Sequence, residues 1–141
     1  MEKYYSKITP NKLLHIVNRI DSESSNTRNE IIPEDNFLQC ANLKLKKGTT
    51  FRPHKHITKE RHYLEQIAQE SWVVIRGSVL CYFYDIDDSL LNVTILNPGD
   101  ASFTLYGGHN YLILEDDTIV YEYKTGPYEG QVYDKTFIDG K

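Results

Sequence analysis

From Phe37 to Lys124 the chain reads as short runs in which apolar residues recur at every second position, each run closed off by turn-forming residues. Period-two alternation marks a strand with one face buried, because successive side chains along an extended backbone point to opposite sides. In FLQCANLKL, Phe37, Gln39, Ala41, Leu43 and Leu45 fall on one face and Asn42 and Lys44 on the other, after which KKGTT turns the chain. SWVVI and VLCYFY predict two strands meeting at Arg76-Gly77, DIDDS at 85–89 a hairpin loop, and LNVTIL another strand. NPGD at 97–100 suits a type II turn, with Pro98 fixing φ and Gly99 supplying the positive φ. ASFTLY, YLILE and TIVYEYK continue the series, with a tight turn at Asp116-Asp117 between the last two. Short strands linked by such turns, without long alternating helices, predict an antiparallel all-β sandwich or barrel and exclude a parallel α/β fold.

Two stretches depart from this rhythm. The first 35 residues are the least regular: LLHIV at 13–17 predicts a short strand, and DSESSNTRNE at 21–30 a polar loop. His15, inside that apolar run, is expected to be a core or interface histidine. In TKERHYLEQIAQE, Leu64, Ile67 and Ala68 share a helical face, which predicts one or two helical turns near 58–69 over the mouth of the barrel.

Composition agrees with sheet. The 141 residues suffice for one domain and are 40% hydrophobic, and eleven tyrosines stand against one Met and one Trp. The expected division is a single domain with an irregular N-terminal arm over 1–35 and a barrel over 36–141. No apolar run approaches a membrane span and the N-terminal segment is charged throughout, so the expectation is a cytoplasmic protein with no membrane partner. Cys40 and Cys81 lie 41 positions apart without a CxxC spacing, which suits small hydrophobes in a reducing compartment.

Charge changes the picture locally. The net charge is −4, yet residues 44–61 hold seven basic side chains (Lys44, Lys46, Lys47, Arg52, Lys55, Lys59, Arg61) against Glu60 alone. A small anionic ligand beside this stretch is one reading and a lysine-guarded strand edge the other. Nucleic acid is not expected, since the rest of the chain is acidic.

Within and around the basic stretch lie Gly48, then TTFRP, then His54-Lys55-His56, and further on Glu70, SWVVIR and Gly77. This arrangement resembles the first motif of the cupins, in which glycine, His-x-His, glutamate and a second glycine follow at set distances. The resemblance implies a cupin-type double-stranded β-helix, a jelly-roll barrel, holding one divalent metal. On a strand, positions i and i+2 point the same way, so His54 and His56 can both reach one ion, with a carboxylate from an adjoining strand as a third ligand. Thirteen residues separate His56 from Glu70, against three or four in the family. Glu60 has the family distance but lacks the glycine seven positions on; Glu70 is preferred and Glu60 stays the alternative.

The second cupin motif is matched less closely, by Gly99, DASFT and Leu105-Tyr106-Gly107-Gly108-His109, where Leu replaces proline and the histidine arrives one residue early. The ligand set that the resemblance implies is thus His54, His56, Glu70 and His109, for Fe, Mn, Ni, Co or Zn. QESWVVIRGSV, GGHNYLILEDDTIVYEYKTGPYEG and DKTFI are further similar to small bacterial cupins linked with surface-polysaccharide and sugar-nucleotide genes. That implies an isomerase or epimerase acting on a sugar phosphate or nucleotide sugar, with Glu122 and Tyr128 as candidate proton carriers beside Glu60. An iron-dependent dioxygenase and a non-catalytic sugar- or metal-sensing module are the alternatives, and a homodimer is expected.

Overall fold

A computed structural model describes residues 1–20, 28–43, 47, 49–50, 67–125 and 135–138. Among the described residues ten strands carry the fold: β1 (Glu2–Tyr5), β2 (Leu13–Asn18), β3 (Arg28–Glu30), β4 (Ala41–Leu43), β5 (Glu70–Arg76), β6 (Val79–Tyr84), β7 (Leu90–Leu96), β8 (Ala101–Thr104), β9 (Gly108–Ile113) and β10 (Ile119–Lys124). They form a five-stranded sheet in the order β1-β2-β8-β5-β10, a three-stranded sheet in the order β7-β6-β9 and the pair β3-β4. Every pairing is antiparallel. Among the described residues the two larger sheets face each other as a sandwich and do not close into a barrel.

Alternation explains which sheet each strand joins. In β6, Val79, Cys81 and Phe83 are fully buried while Leu80 and Tyr82 are half exposed, as a strand with one solvated face requires. β2 and β8 are buried at almost every position, because each lies inside the large sheet with both faces covered. On one side Val17 and Val74 meet Val79, Cys81, Phe83 and Leu96 of the smaller sheet. On the other, Ile16, Ala101 and Phe103 meet Ile31 and Ile32, with Leu38 and Cys40 packed beside them. Each fully buried side chain of this size contributes about 1.5–3 kcal/mol by leaving water.

Between Glu70 and Lys124 the chain passes from one sheet to the other at Gly77, at 97–100, at 105–107 and at 114–118. These crossings need left-handed backbone. Gly77 has φ +79°, and a Cβ there would stand 2.2 Å from Thr118 Oγ1, so two crossing turns abut where no side chain fits. The hairpin loop at 85–89, the turn with Gly99 at φ +89° and the turn with Asp117 at φ 55° fall where the alternation placed them. The turn at 114–118 joins β9 and β10 in different sheets instead of making a hairpin.

Three expectations are corrected or left open. LLHIV forms β2 as expected, but β1 stands beside it in the large sheet where irregular chain was expected, and residues 28–30 of the expected polar loop form β3. Of the helix expected at 58–69, residues 58–66 lie outside the described residues and 67–69 carry no regular structure. The described residues contain no helix, hence none long and apolar enough to cross a membrane.

At the end of the sandwich away from Glu70, Arg19 bridges Glu2 Oε1 at 2.9 Å and Asp100 Oδ2 at 2.7 Å, and also donates to the Ile95 carbonyl and the Thr94 hydroxyl. One guanidinium fork thus ties the edge of the smaller sheet to the larger one.

Candidate functional site

Register brings the chemistry together. His15 of β2 opposes Thr104 of β8, Thr104 opposes Glu70 of β5, and Glu70 opposes Lys124 of β10, which makes one rank of side chains across the large sheet. Directly paired residues share a face, and this face looks into the sandwich. Two residues along each strand, about 7 Å away, the next rank runs Val17, Ser102, Trp72 and Glu122. On the facing sheet, Phe83 opposes His109 and Cys81 opposes Tyr111.

The two sheets touch through these ranks. His109 Nε2 stands 3.2 Å from Glu70 Oε1, with both side chains mostly buried. One rank along, the Trp72 and Tyr111 rings stack with centroids 4.0 Å apart and planes 10° from parallel. The Tyr111 hydroxyl lies 3.1 Å from Ser102 Oγ, and the Trp72 indole N–H donates to Glu122 Oε2 at 3.2 Å. His109 is tilted against Tyr111 at 5.2 Å.

The electrostatics follow from burial and neighbours. Burial alone would raise the Glu70 carboxyl, but the hydrogen bond and charge of His109, with the positive fields of Lys135 and Lys124, outweigh it and hold the group below its usual range. Burial drives the Tyr111 hydroxyl well up, with Cys81, Glu70 and Glu122 adding to the rise, so it stays protonated. His109 Nδ1 is buried and has no hydrogen-bond partner among the described residues. A ligating imidazole ordinarily has its second nitrogen fixed by another group.

His15 closes the inner wall. It is fully buried and stacked on Phe83 at 4.6 Å, with Nε2 3.0 Å from the Tyr84 carbonyl and Nδ1 3.2 Å from Thr104 Oγ1. A carbonyl only accepts, so Nε2 carries the proton and Nδ1 accepts from the threonine hydroxyl. Burial pushes its pKa down to about 4 against the opposing pull of the Tyr84 carbonyl, so the ring is neutral. The turn before His109 is packed on this ring: at Gly107, with φ +78°, a Cβ would lie 2.4 Å from the Tyr84 oxygen and 3.2 Å from His15 Nε2.

The segments entering this end are fixed by Gln69. Its fully buried side chain accepts from Leu38 N and donates to Asn36, while its backbone pairs with Thr125. Ile138 reaches the Cβ position of Gly108, so residues 135–138 lie on the same rim.

Of the residues singled out in the sequence, Glu70 and His109 meet. Glu122 lies one rank away, bonded to Trp72. His54, His56, Glu60, Arg61 and Tyr128 lie outside the described residues, as does most of the basic stretch at 44–61. Among the described residues no group of three His, Cys, Asp or Glu side chains comes together that could hold a metal. Glu70 and His109 nonetheless fit as two members of such a set: one carboxylate and one imidazole on facing strands, converging in a shielded interior. Trp72, Tyr111 and Thr104 were not singled out, although Trp72 and Tyr111 stand two positions beyond Glu70 and His109 and so must share their faces. No protein-family model, curated protein or solved structure matches this chain.

Proposed function

We propose that the chain is a metal-binding jelly roll of the cupin type that acts on a small anionic carbohydrate-type molecule, a sugar phosphate or nucleotide sugar, by isomerisation or epimerisation. The observation that carries this reading is the meeting of Glu70 and His109, 39 positions apart in sequence and 3.2 Å apart in space. Each comes from one of the two motifs that suggested a metal, and each reaches inward from its own sheet. Repeated crossing between the facing sheets supports the jelly roll. That Glu70 opens β5 and points at His109 favours it over Glu60 as the carboxylate ligand.

Glu70 and His109 would hold the ion together with His54 and His56, and a divalent metal there supplies a Lewis acid for a substrate oxygen. Lys124 and Lys135, whose charges reach Glu70, suit an anionic substrate. The Trp72–Tyr111 pair offers an aromatic wall against which a sugar ring packs. Glu122, held by the indole, is the described carboxylate next along that wall and the candidate proton carrier.

Elemental analysis of protein purified under metal-replete conditions is the test. Wild type is expected to carry stoichiometric metal, His54→Ala, His109→Ala and Glu70→Gln to lose it, and Glu60→Gln to keep it. A metal-free wild type overturns the reading. Thermal-shift measurements with sugar phosphates and nucleotide sugars, against neutral sugars of the same size, test the substrate class.

A further inference from the structure

We propose that His15 is the positioning residue of this site, setting the separation of Glu70 and His109 from the inner wall; the inference rests on the metal reading above for what that separation serves. Four observations converge on one ring. Its Nδ1 holds the hydroxyl of Thr104, which is the strand partner of Glu70. Its face is stacked on Phe83, which is the strand partner of His109. Its Nε2 holds the carbonyl of Tyr84, which is paired with Gly108, the residue before His109. The turn at Gly107 packs beside the same ring edge, where a methyl group would collide with the Tyr84 carbonyl and press on the ring.

The ring therefore touches the immediate neighbour of each of the two groups. A fully buried imidazole with both nitrogens engaged has one tautomer and one orientation available, so it acts as a spacer of fixed length between the sheets. An aliphatic residue in its place fills volume but leaves the Tyr84 carbonyl and Thr104 hydroxyl free to seek other partners, which lets both strands shift.

The test compares His15→Phe, His15→Gln and Thr104→Val with Ile16→Val, a core change on the opposite face of the same strand. His15→Phe keeps a ring against Phe83 and loses both hydrogen bonds; His15→Gln retains one donor and one acceptor; Thr104→Val deletes a single bond without touching the histidine. Cobalt(II) affinity is read from its visible absorption, and melting temperature is recorded on the same metal-free samples. His15→Phe and Thr104→Val are expected to weaken cobalt binding about 10–100-fold, as loss of outer-sphere support does. His15→Gln is expected to recover part of that loss, and Ile16→Val to stay within about twofold of wild type whatever its melting temperature.

Equal affinity across the set, or affinity that simply follows melting temperature, overturns the positioning role. Wild-type protein that binds no cobalt overturns the metal reading instead. Positioning is then decided by the imidazole nitrogen NMR signals of His109 in metal-free protein. These are expected to move in Thr104→Val and to stay in place in Ile16→Val; unmoved signals in both overturn the inference.

Discussion

Trp72 lies flat on Tyr111, with centroids 4.0 Å apart, one rank along the sheet from the contact of Glu70 with His109. The two contacts are consecutive rungs between facing sheets, since Trp72 follows Glu70 by two positions and Tyr111 follows His109 by two. The aromatic rung packs the two sheets against each other beside the polar one.

Removing the aromatic rung is expected to loosen the sandwich. Stacked aromatic pairs contribute about 0.5–1.5 kcal/mol beyond their buried area, so Tyr111→Leu should cost at least about 1 kcal/mol in urea unfolding. Trp72 is the one tryptophan of the chain, which makes its emission a direct report on this pair. An unchanged emission spectrum in Tyr111→Leu contradicts the stack.

Acid should destabilise the protein through His15. His15 has a folded pKa of about 4, below the ordinary value of roughly 6.5, because burial disfavours its charged form. The unfolded chain therefore takes up this proton first. Stability is full above pH ~6.5 and falls as pH drops toward ~4, by about 3 kcal/mol in all. Urea midpoints measured from pH 7 to 4 should show the decline in wild type and a shallower one in His15→Gln. Parallel curves in the two proteins argue against a buried neutral ring.

Gly107 and Gly108 should respond unequally to alanine. At Gly107 the positive φ and the nearby Tyr84 carbonyl both oppose a side chain, and a cost above about 1 kcal/mol is expected. At Gly108 the closest obstacle is the tip of Ile138, which can swing aside, so Gly108→Ala should cost less. Melting temperatures of the two variants check the order, and the reverse order refutes it.

Asp85 anchors the loop after β1. Its carboxylate accepts from the Ser6 hydroxyl at 2.6 Å and from the backbone N–H groups of Lys7 and Ile86 at 2.7 Å each. Burial would raise this carboxyl, but these bonds outweigh it and hold its pKa below the ordinary value. The stabilisation is therefore present above pH ~4 and lost as the group protonates below it. Asp85→Ala should cost about 1–3 kcal/mol at neutral pH, and less at pH 3. Equal losses at both values count against the charge.

The alternation of β6 and β7 and the turns at 85–89 and 97–100 could be read from the residues because each depends on neighbours within a few positions. Of the N-terminal strands, β2 was legible in the apolar run LLHIV and β1 was not. β1 (EKYY) carries little apolar signal of its own and is a strand because Tyr4 meets His15, and His15 in turn meets Thr104. The helical face of Leu64, Ile67 and Ala68 illustrates a further difficulty, since Ile67 and Ala68 sit in irregular chain leading into β5. Three apolar residues over five positions carry too little information to separate a helical turn from a strand entrance. For the site, the resemblance implied that Glu70 and His109 reach a common point, but the residues alone did not show their contact, because nothing local says which strands of two sheets will oppose one another. The indole bond that occupies Glu122 was hidden for the same reason.

Placing β2 between β1 and β8 also governs the order in which the molecule can assemble. The His15–Thr104 pairing closes a loop of 89 positions, so Leu14, Ile16 and Val17 emerge during synthesis long before the strand that covers them. Folding must wait for that distant partner, which makes it slow for the chain's size and leaves an adhesive N-terminal segment exposed in the interval.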